Sequence, residues 1–294
     1  MPREPRIVNA MIVRIALVAA ALAAATAGAN AVPPNVPRFD HVIVVVFENK
    51  ERADVVGSTA APTFNSLARR YAELVGYRAV AHPSLPNYLA LVSGATHGIH
   101  DDCTDCVVNA VSLADTLALA HRTWKTYAEG LPSPGFTGAG SGAYAKKHDP
   151  FLYFANVLRR SAWLHRVVPF SSFGRDLDAG RLPSFSLVVP NLCNDMHDCD
   201  VATGDRWLAR NIVPILRSPH LARSVVFVVF DEGTTDVGGG GSVAALALGP
   251  VVRRGSTFTR PTNHYGLLRT IEDAWGLPRL GASNDAAPIT GIWR

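Results

Sequence analysis

The stretch FDHVIVVVFENK, residues 39–50, decides the fold of this 294-residue chain. Its centre, residues 42–47, is an apolar run without polar alternation, which is typical of a strand buried on both faces of a parallel sheet. The run ends abruptly in Glu48, Asn49 and Lys50. In open α/β sheets, binding and catalytic groups collect at the carboxyl ends of such strands. A carboxylate and an amide at this position therefore indicate a candidate site.

Two later stretches repeat the pattern. Residues 225–230, VVFVVF, run directly into Asp231 and Glu232, and the apolar residues 185–190 lead into a polar cluster that contains Asp195 and His197. Between and after these strands, apolar residues recur at helical spacing. They predict helices over residues 62–74, 86–92, 112–121, 151–164, 205–217 and 264–275. Residues 130–147 are expected to form a long loop. Strands that alternate with helices predict an α/β fold, a single domain with a mainly parallel central sheet flanked by helices.

The first 31 residues have the pattern of a secretory signal peptide. A basic start is followed by the apolar, Ala-rich residues 15–26 and by the small-x-small site Ala29-Asn30-Ala31. A membrane anchor is the alternative, but the apolar run is shorter than the roughly 20 residues that span a bilayer. We therefore expect export to the periplasm or the medium, with residues 32–294 as the mature catalytic domain and no stable membrane span.

Composition and cysteine usage agree with an exported enzyme. The net charge is only +4, and no basic stripe with interleaved aromatics is present, so a nucleic-acid partner is not expected. Four cysteines allow three disulfide connectivities, and we favour the local pairs Cys103–Cys106 and Cys193–Cys199. A zinc site is the alternative, but an oxidising compartment favours disulfides. The sequence does not indicate an oligomeric state.

The segment HPSLPNYLALVSG, residues 82–94, places Ser84 at or just before a helix N-terminus. Backbone N–H groups at such a position favour an anion. Carboxylates and an amide that converge near Ser84 would repel one another unless a cation lies among them. Oxygen ligands suit Ca²⁺ or Mg²⁺ better than Zn²⁺, and a metal beside Ser84 would make its hydroxyl a better nucleophile. The residues therefore predict metal-assisted phosphoryl transfer through a serine.

Six motifs in order carry a resemblance to a known family. They are ENK at 48–50, HPSLPNY at 82–88, KHDPF at 147–151, VPNLCNDMHDC at 189–199, FDEG at 230–233 and NHYGLLRTIEDAWGLPRLG at 263–281. Together they resemble the bacterial phosphoesterase family of acid phosphatases and phospholipases C, within the alkaline-phosphatase-like superfamily. The resemblance covers residues 39–281.

The resemblance implies roles for individual residues. It assigns metal binding to Glu48, Asn49, Ser84, Asp231 and Glu232, although the second acidic pair of the family can be two aspartates where this chain has Glu232. It makes Ser84 the nucleophile as well as a metal contact. His148 and His197 are expected to contact the phosphate or to protonate the leaving group. Asn87 is expected to donate to a phosphate oxygen.

Three functions remain open from the sequence. The first is a phosphatase that acts on small phosphate monoesters, which the absence of large C-terminal additions favours. The second is a phospholipase C that cleaves phospholipid head-group diesters, so a phospholipid is also a possible partner. The third is a non-catalytic protein that binds phosphorylated ligands, for which a retained Ser84 nucleophile would be of no use.

Overall fold

The computed structural model describes residues 36–294, so the predicted signal peptide at 1–31 lies outside the described residues. The described part forms these strands: β1 (Val42–Phe47), β2 (Ala72–Leu74), β3 (Tyr77–Arg78), β4 (Trp124–Ala128), β5 (Gly140–Ser141), β6 (Tyr144–Ala145), β7 (Val167–Pro169), β8 (Phe185–Val189), β9 (Val225–Phe230), β10 (Ala245–Leu248), β11 (Ser256–Phe258) and β12 (Thr262–Asn263). Eight of them form one sheet in the order β11-β2-β10-β9-β1-β8-β4-β7.

The centre of this sheet is parallel. Strand β1 pairs in parallel with β8 on one side and with β9 on the other. Strand β10 runs antiparallel to both of its neighbours, β9 and β2. All residues of β1, β8 and β9 are buried, as the apolar runs predicted. Burial of each Val or Phe contributes about 1.5–3 kcal/mol at most, because unfolded chains already bury part of this surface. The predicted α/β class with a mainly parallel sheet is confirmed.

Helices cover the sheet: α1 (Arg52–Val55), α2 (Pro62–Arg70), α3 (Ser84–Ser93), α4 (Leu113–Leu119), α5 (Ala155–Leu158), α6 (Ser161–Leu164), α7 (Ser171–Asp178), α8 (Val201–Asn211) and α9 (His264–Trp275). Short 3₁₀ turns lie at Lys146–His148, Pro150–Tyr153, Pro214–Arg217, Pro219–Leu221, Val237–Gly239 and Gly281–Asn284. Among the described residues, no helix combines the length and the apolarity that a bilayer crossing needs.

Helix α3 is the element that presents Ser84. It is buried along its whole length and packs against α9. Its C-terminal cap, Gly94, adopts φ +72°, and a Cβ atom there would lie 1.9 Å from the carbonyl oxygen of Leu280. Only glycine meets both requirements without strain. This close approach anchors α3 to the segment that follows α9, and so supports the position of Ser84.

Two predicted segments differ from the structure in their boundaries. The predicted helix over 151–164 is broken at Phe154, where the backbone is extended and pairs with Val108, so a 3₁₀ turn and two four-residue helices take its place. The expected 130–147 loop carries the small hairpin β5–β6. Both predicted disulfides, Cys103–Cys106 and Cys193–Cys199, are present.

Candidate active site

The register of the central strands brings two acidic residues together. Phe47 lies opposite Phe230, so Glu48 and Asp231 follow neighbouring strands at the same edge of the sheet. Asp231 Oδ1 accepts hydrogen bonds from the backbone N–H of Glu232 at 2.6 Å and of Asn49 at 3.3 Å. Glu48 is fully buried and Asp231 nearly so. The two strand-end pairs that the sequence singled out therefore form one cluster.

Ser84 lies against this cluster. Its Oγ is 3.0 Å from Glu48 Oε2 and 3.4 Å from Glu232 Oε1. As the first residue of α3, it projects from the helix N-terminus. One turn later, the hydroxyl of Tyr88 donates to the other carboxylate oxygen of Glu48. Helix α3 therefore supplies both the serine and a group that fixes the carboxylate beside it.

A histidine and a third carboxylate complete the buried group. His148 Nε2 lies 3.4 Å from Glu48 Oε2, and its Nδ1 lies 3.3 Å from Asp195 Oδ2. The imidazole stacks on the ring of Tyr88, with 5.3 Å between centroids. Donor atoms of Glu48, His148 and Asp195 are close enough together to bind one metal ion. The sequence placed Asp195 near the site, in the polar cluster after β8, but did not assign it as a metal ligand.

Burial and mutual repulsion raise the carboxyl pKa values at this site. The pKa of Glu48 is well above its usual range because of burial, and because Asp231 and Asp195 are close. Burial raises the pKa of Asp195 from 3.8 to about 7, and burial together with Asp231 raises that of Glu232 to about 7. Burial also raises the pKa of Asp231. Anionic forms are disfavoured here unless positive charge is added.

The donor atoms of this cluster fit a metal ion. Four of its buried polar atoms have no hydrogen-bond partner within the described protein: Asn49 Oδ1, His148 Nε2, Asp195 Oδ2 and Asp231 Oδ2. An unpartnered buried polar atom costs about 1–3 kcal/mol, so four together fit a site that binds a cation. Burial lowers the pKa of His148 to about 3, which keeps the imidazole in the neutral form that binds metals.

Histidines outside the cluster orient its members. His82 Nδ1 lies 2.5 Å from Glu232 Oε2, while its Nε2 is 3.0 Å from the carbonyl oxygen of Thr235. His264 Nε2 donates to the carbonyl oxygen of Asp231 at 2.6 Å, and the Tyr77 hydroxyl lies 3.1 Å from its other ring nitrogen. Burial lowers the pKa of His264 to about 4. His264 therefore packs beneath the site as a neutral support.

On the solvent side, His197 forms part of a polar chain. Its Nδ1 lies 2.6 Å from Asp198 Oδ1, and its Nε2 lies 3.2 Å from Lys147 Nζ. The Lys147 ammonium also contacts Asp102 Oδ2 at 2.8 Å. Asp102 Oδ1 accepts from the backbone N–H of Leu85 at 2.9 Å, so a carboxylate of the protein occupies part of the helix N-terminus where the sequence predicted a substrate anion.

Two of the expected roles disagree with the geometry. Asn87 does not face a substrate: its Oδ1 accepts from the N–H groups of Val80 and Ala81, while its Nδ2 donates to the carbonyls of Ala81 and Pro83. It holds the turn that leads into Ser84. His148 is buried and neutral between two carboxylates, so it is suited to bind a metal and unsuited to protonate a leaving group. Spacing alone does not report where such side chains point.

The strand ends of the mixed α/β sheet carry buried carboxylates, and the serine at the N-terminus of α3 lies beside them, so the candidate site is at one edge of the sheet. Residues 54–278 match the model of the Phosphoesterase family, and the chain belongs to that family. The sequence resemblance is thereby confirmed. Members of this class act on phosphoric esters, and this chain is a hydrolase of such bonds.

Three named relatives illustrate the family. The chain is 38% identical over 260 residues to a phosphatidylinositol-3-phosphatase of Mycobacterium tuberculosis, a match that covers 87% of this chain and 84% of the relative. It is 29% identical to a phosphate-repressible acid phosphatase of Penicillium chrysogenum and 30% identical to an acid phosphatase of Aspergillus fumigatus. These matches cover 83% and 82% of this chain, but only 60% and 57% of the fungal proteins.

Solved structures agree on the fold. A protein of the alkaline phosphatase superfamily from Vibrio parahaemolyticus superposes with a TM-score of 0.58 at 14% identity, covering 85% of this chain and 72% of that one. A phosphonate monoester hydrolase of Agrobacterium radiobacter gives a TM-score of 0.54 at 13% identity, covering 87% and 79%. At these identities the likeness concerns the fold alone.

Proposed function

We propose that this protein is an exported, metal-dependent phosphatase that hydrolyses phosphate monoesters through Ser84. The observation that carries the proposal is the position of the Ser84 hydroxyl, 3.0 Å from Glu48 in a buried acidic cluster with four unpartnered ligand atoms. Buried carboxylates and unpartnered ligand atoms around a serine are costly for stability, which favours a catalytic role for Ser84. Family membership supplies the phosphoric ester as the bond that is broken.

The metal ligands in this proposal are Glu48, Asn49, Ser84, Asp231 and Glu232, and the geometry adds His148 and Asp195. When bound, a divalent cation lowers the pKa of the serine hydroxyl and neutralises charge on the phosphoryl oxygens. The many oxygen donors favour Ca²⁺ or Mg²⁺, whereas the imidazole of His148 also suits Zn²⁺.

The chain's own residues account for the covalent steps. Ser84 Oγ attacks phosphorus, the Oγ–P bond forms, and the bond to the leaving alcohol breaks. The hydroxyl proton has two acceptors within reach, Glu48 Oε2 and Glu232 Oε1. Water then hydrolyses the phosphoserine and restores Ser84 with release of inorganic phosphate. Glu232 is held in place for this by His82.

The leaving alcohol needs a proton, and His197 is the histidine placed to deliver it. It lies on the solvent side of His148, with 5.8 Å between ring centroids, and its side chain is partly exposed. Its hydrogen bond to the Lys147 ammonium connects it to a proton-bearing group. We therefore propose that His197 contacts the phosphate and protonates the leaving alcohol. We assign neither role to Asn87.

Two other substrate classes are to be tested, and one other function is disfavoured. The relative named phosphatidylinositol-3-phosphatase makes a monoester on a lipid head group a substrate to test. Phospholipase C activity on head-group diesters is the second candidate, because the sequence resemblance includes such enzymes. A non-catalytic phosphoryl-binding protein is disfavoured by relatives that are named phosphatases.

Export is part of the proposal. Two disulfides, Cys103–Cys106 and Cys193–Cys199, indicate an oxidising compartment, which agrees with the signal-peptide pattern at residues 1–31. We infer a periplasmic or secreted location. Expression of the full chain, followed by fractionation and N-terminal sequencing, is expected to recover a product that begins at residue 32. A product that keeps residue 1 in the cytoplasm would contradict export.

The experiment that tests the function compares p-nitrophenyl phosphate with p-nitrophenyl phosphocholine, for the unmodified protein and for Ser84→Ala. We expect turnover of the monoester, and at least about a 1,000-fold loss in the variant, because a nucleophile has no substitute. Acid quenching during turnover is expected to trap a phosphoryl group on the peptide that contains Ser84. Turnover that survives Ser84→Ala would show that Ser84 is not the nucleophile. Preference for the choline diester would change the proposed activity to that of a phospholipase C.

A further inference from the structure

One carboxylate joins the helix that bears the nucleophile to a lysine. Asp102 Oδ1 accepts from the backbone N–H of Leu85 at 2.9 Å, and its Oδ2 accepts from Lys147 Nζ at 2.8 Å. Leu85 directly follows Ser84 in the first turn of α3. Because a single carboxylate makes both contacts, the ammonium is held beside that first turn. Its charge is therefore tied, through Asp102, to the residue that follows Ser84.

The ammonium of Lys147 has donor capacity to spare. An ammonium group carries three donors and no acceptor. One donor goes to Asp102 Oδ2, and a second goes to His197 Nε2 at 3.2 Å. The other ring nitrogen of His197, Nδ1, lies 2.6 Å from Asp198 Oδ1. Within the part of the chain that the structure describes, the third donor has no protein partner, and the side chain is 19% exposed.

Neighbouring lysines do not share this position. Lys50, which follows Asn49, directs its ammonium to the carbonyl oxygen of Met196 at 2.7 Å. Lys146 directs its ammonium to the carbonyl oxygen of Thr104 at 2.7 Å and over the ring of Tyr153. Of these three lysines, only Lys147 contacts side chains at the mouth of the site. Lys50 and Lys146 instead direct their ammonium groups to backbone carbonyl oxygens.

We propose that Lys147 binds the outer oxygens of the phosphoryl group and selects dianionic monoesters over monoanionic diesters, with Asp102 as its positioning residue. This inference rests on the proposed phosphatase function and deepens it by naming the group that sets the substrate class. At pH 7 a phosphate monoester carries a charge of about −1.5 to −2, whereas a diester carries one negative charge and replaces an outer oxygen with an ester group. A fixed cation at the outer oxygens therefore favours the monoester.

The test compares Lys147→Gln with Lys147→Arg, using Lys125→Gln as a matched control. Lys125 also pairs with an aspartate, Asp176, but it lies near the start of β4, away from the strand ends that form the site. Initial rates with p-nitrophenyl phosphate and bis-p-nitrophenyl phosphate give the ratio of the two kcat/KM values. Lys147→Gln is expected to lower the monoester value about 10- to 100-fold and the diester value far less, as for loss of a hydrogen bond to a charged group. Lys147→Arg is expected to recover most of the ratio, and Lys125→Gln to leave it unchanged.

Other outcomes separate the inference from the function. Equal losses on both esters in a folded Lys147→Gln protein would overturn the selective role while the phosphatase stands. Asp102→Asn is expected to lower the same ratio, and a lower melting temperature with an unchanged ratio would remove Asp102 as the positioning residue.

Anion binding tests the role of Lys147 even if the protein hydrolyses neither ester. In the unmodified, metal-loaded protein, orthophosphate is expected to raise the melting temperature more than dimethyl phosphate at equal concentration, and Lys147→Gln is expected to abolish that difference. If the protein hydrolyses neither ester but this difference depends on Lys147, the proposed function fails and the anion site stands. An equal response to the two anions would overturn the inference itself.

Discussion

Removal of metal at alkaline pH is expected to destabilise the protein strongly, and Asp195 allows the size to be worked out. Burial raises the pKa of Asp195 from 3.8 to about 7, so the folded protein keeps this proton to a higher pH than the unfolded chain does. The stabilising contribution of the protonated Asp195 carboxyl to the free energy of unfolding is therefore fully present below pH 3.8 and is lost as pH rises through about 7. A shift of about 3 units corresponds to about 4 kcal/mol of lost stability.

Urea unfolding in the presence of a chelator, followed by circular dichroism between pH 5 and pH 8, measures this effect. We expect Asp195 to lower the free energy of unfolding of the metal-free protein by about 3 kcal/mol over that range, because the rest of its contribution is already lost below pH 5. A divalent ion at about 100 times its dissociation constant is expected to restore about 2.7 kcal/mol at pH 8. Asp195→Asn, which keeps the shape and removes the charge, is expected to flatten the pH dependence of the metal-free protein.

Asp195→Asn is also expected to weaken metal binding. Added divalent ion should therefore raise the free energy of unfolding of this variant less than that of the unmodified protein. Asp176→Asn, at the ion pair with Lys125, is the control and should leave the response to metal unchanged. The reasoning is refuted if the metal-free protein is as stable at pH 8 as at pH 5, or if Asp195→Asn leaves that dependence intact.

Three further substitutions test parts of the structure around the site. Tyr88→Phe removes the hydrogen bond to Glu48 and is expected to cost about 1.5–3 kcal/mol in urea unfolding, with weaker metal binding; unchanged values in both would show that this contact is dispensable. Glu51→Gln weakens a carboxylate that accepts from three backbone N–H groups of the 234–242 loop, so we expect faster limited proteolysis there, and an unchanged cleavage rate would count against this anchor. Gly94→Ala forces a Cβ atom to within 1.9 Å of a backbone oxygen at positive φ and is expected to cost at least about 2 kcal/mol; a melting temperature equal to that of the unmodified protein would contradict the packing.

The central sheet could be predicted because its signal is local. Runs such as residues 42–47 and 225–230 are long, apolar and β-branched, and their ends carry the acidic pairs. Short elements escaped prediction for the opposite reason. Strands β7 and β11 have three residues each, too few for a period to emerge, and their pairing partners lie far away in sequence. The break at Phe154 depends on Val108, which no local pattern reports.

The candidate site was predictable as a set of positions and less so as a set of roles. Glu48, Ser84 and Asp231 could be placed together because the ends of neighbouring parallel strands and a helix N-terminus meet at one sheet edge. The direction of a side chain depends on contacts between segments remote in sequence. For that reason Asn87 was expected to face a phosphate, whereas the structure turns it onto the backbone.

Asp102 was missed for a related reason. It precedes a disulfide in a polar loop, and nothing nearby in sequence ties it to α3 or to Lys147. A pattern of two adjacent aspartates before a cysteine has many surface explanations. Only the folded chain shows that one of these carboxylates reaches the amide that follows Ser84.

The most direct test of the account is the hydrolysis of p-nitrophenyl phosphate by protein that has been stripped with a chelator and then dialysed. We predict that turnover is lost on stripping and returns when Ca²⁺ or Mg²⁺ is added, while Ser84→Ala stays inactive with either ion. Full turnover by stripped protein, with metal analysis showing no bound ion, would contradict the claim that the acidic cluster at Glu48, Asp195 and Asp231 works by holding a cation beside Ser84.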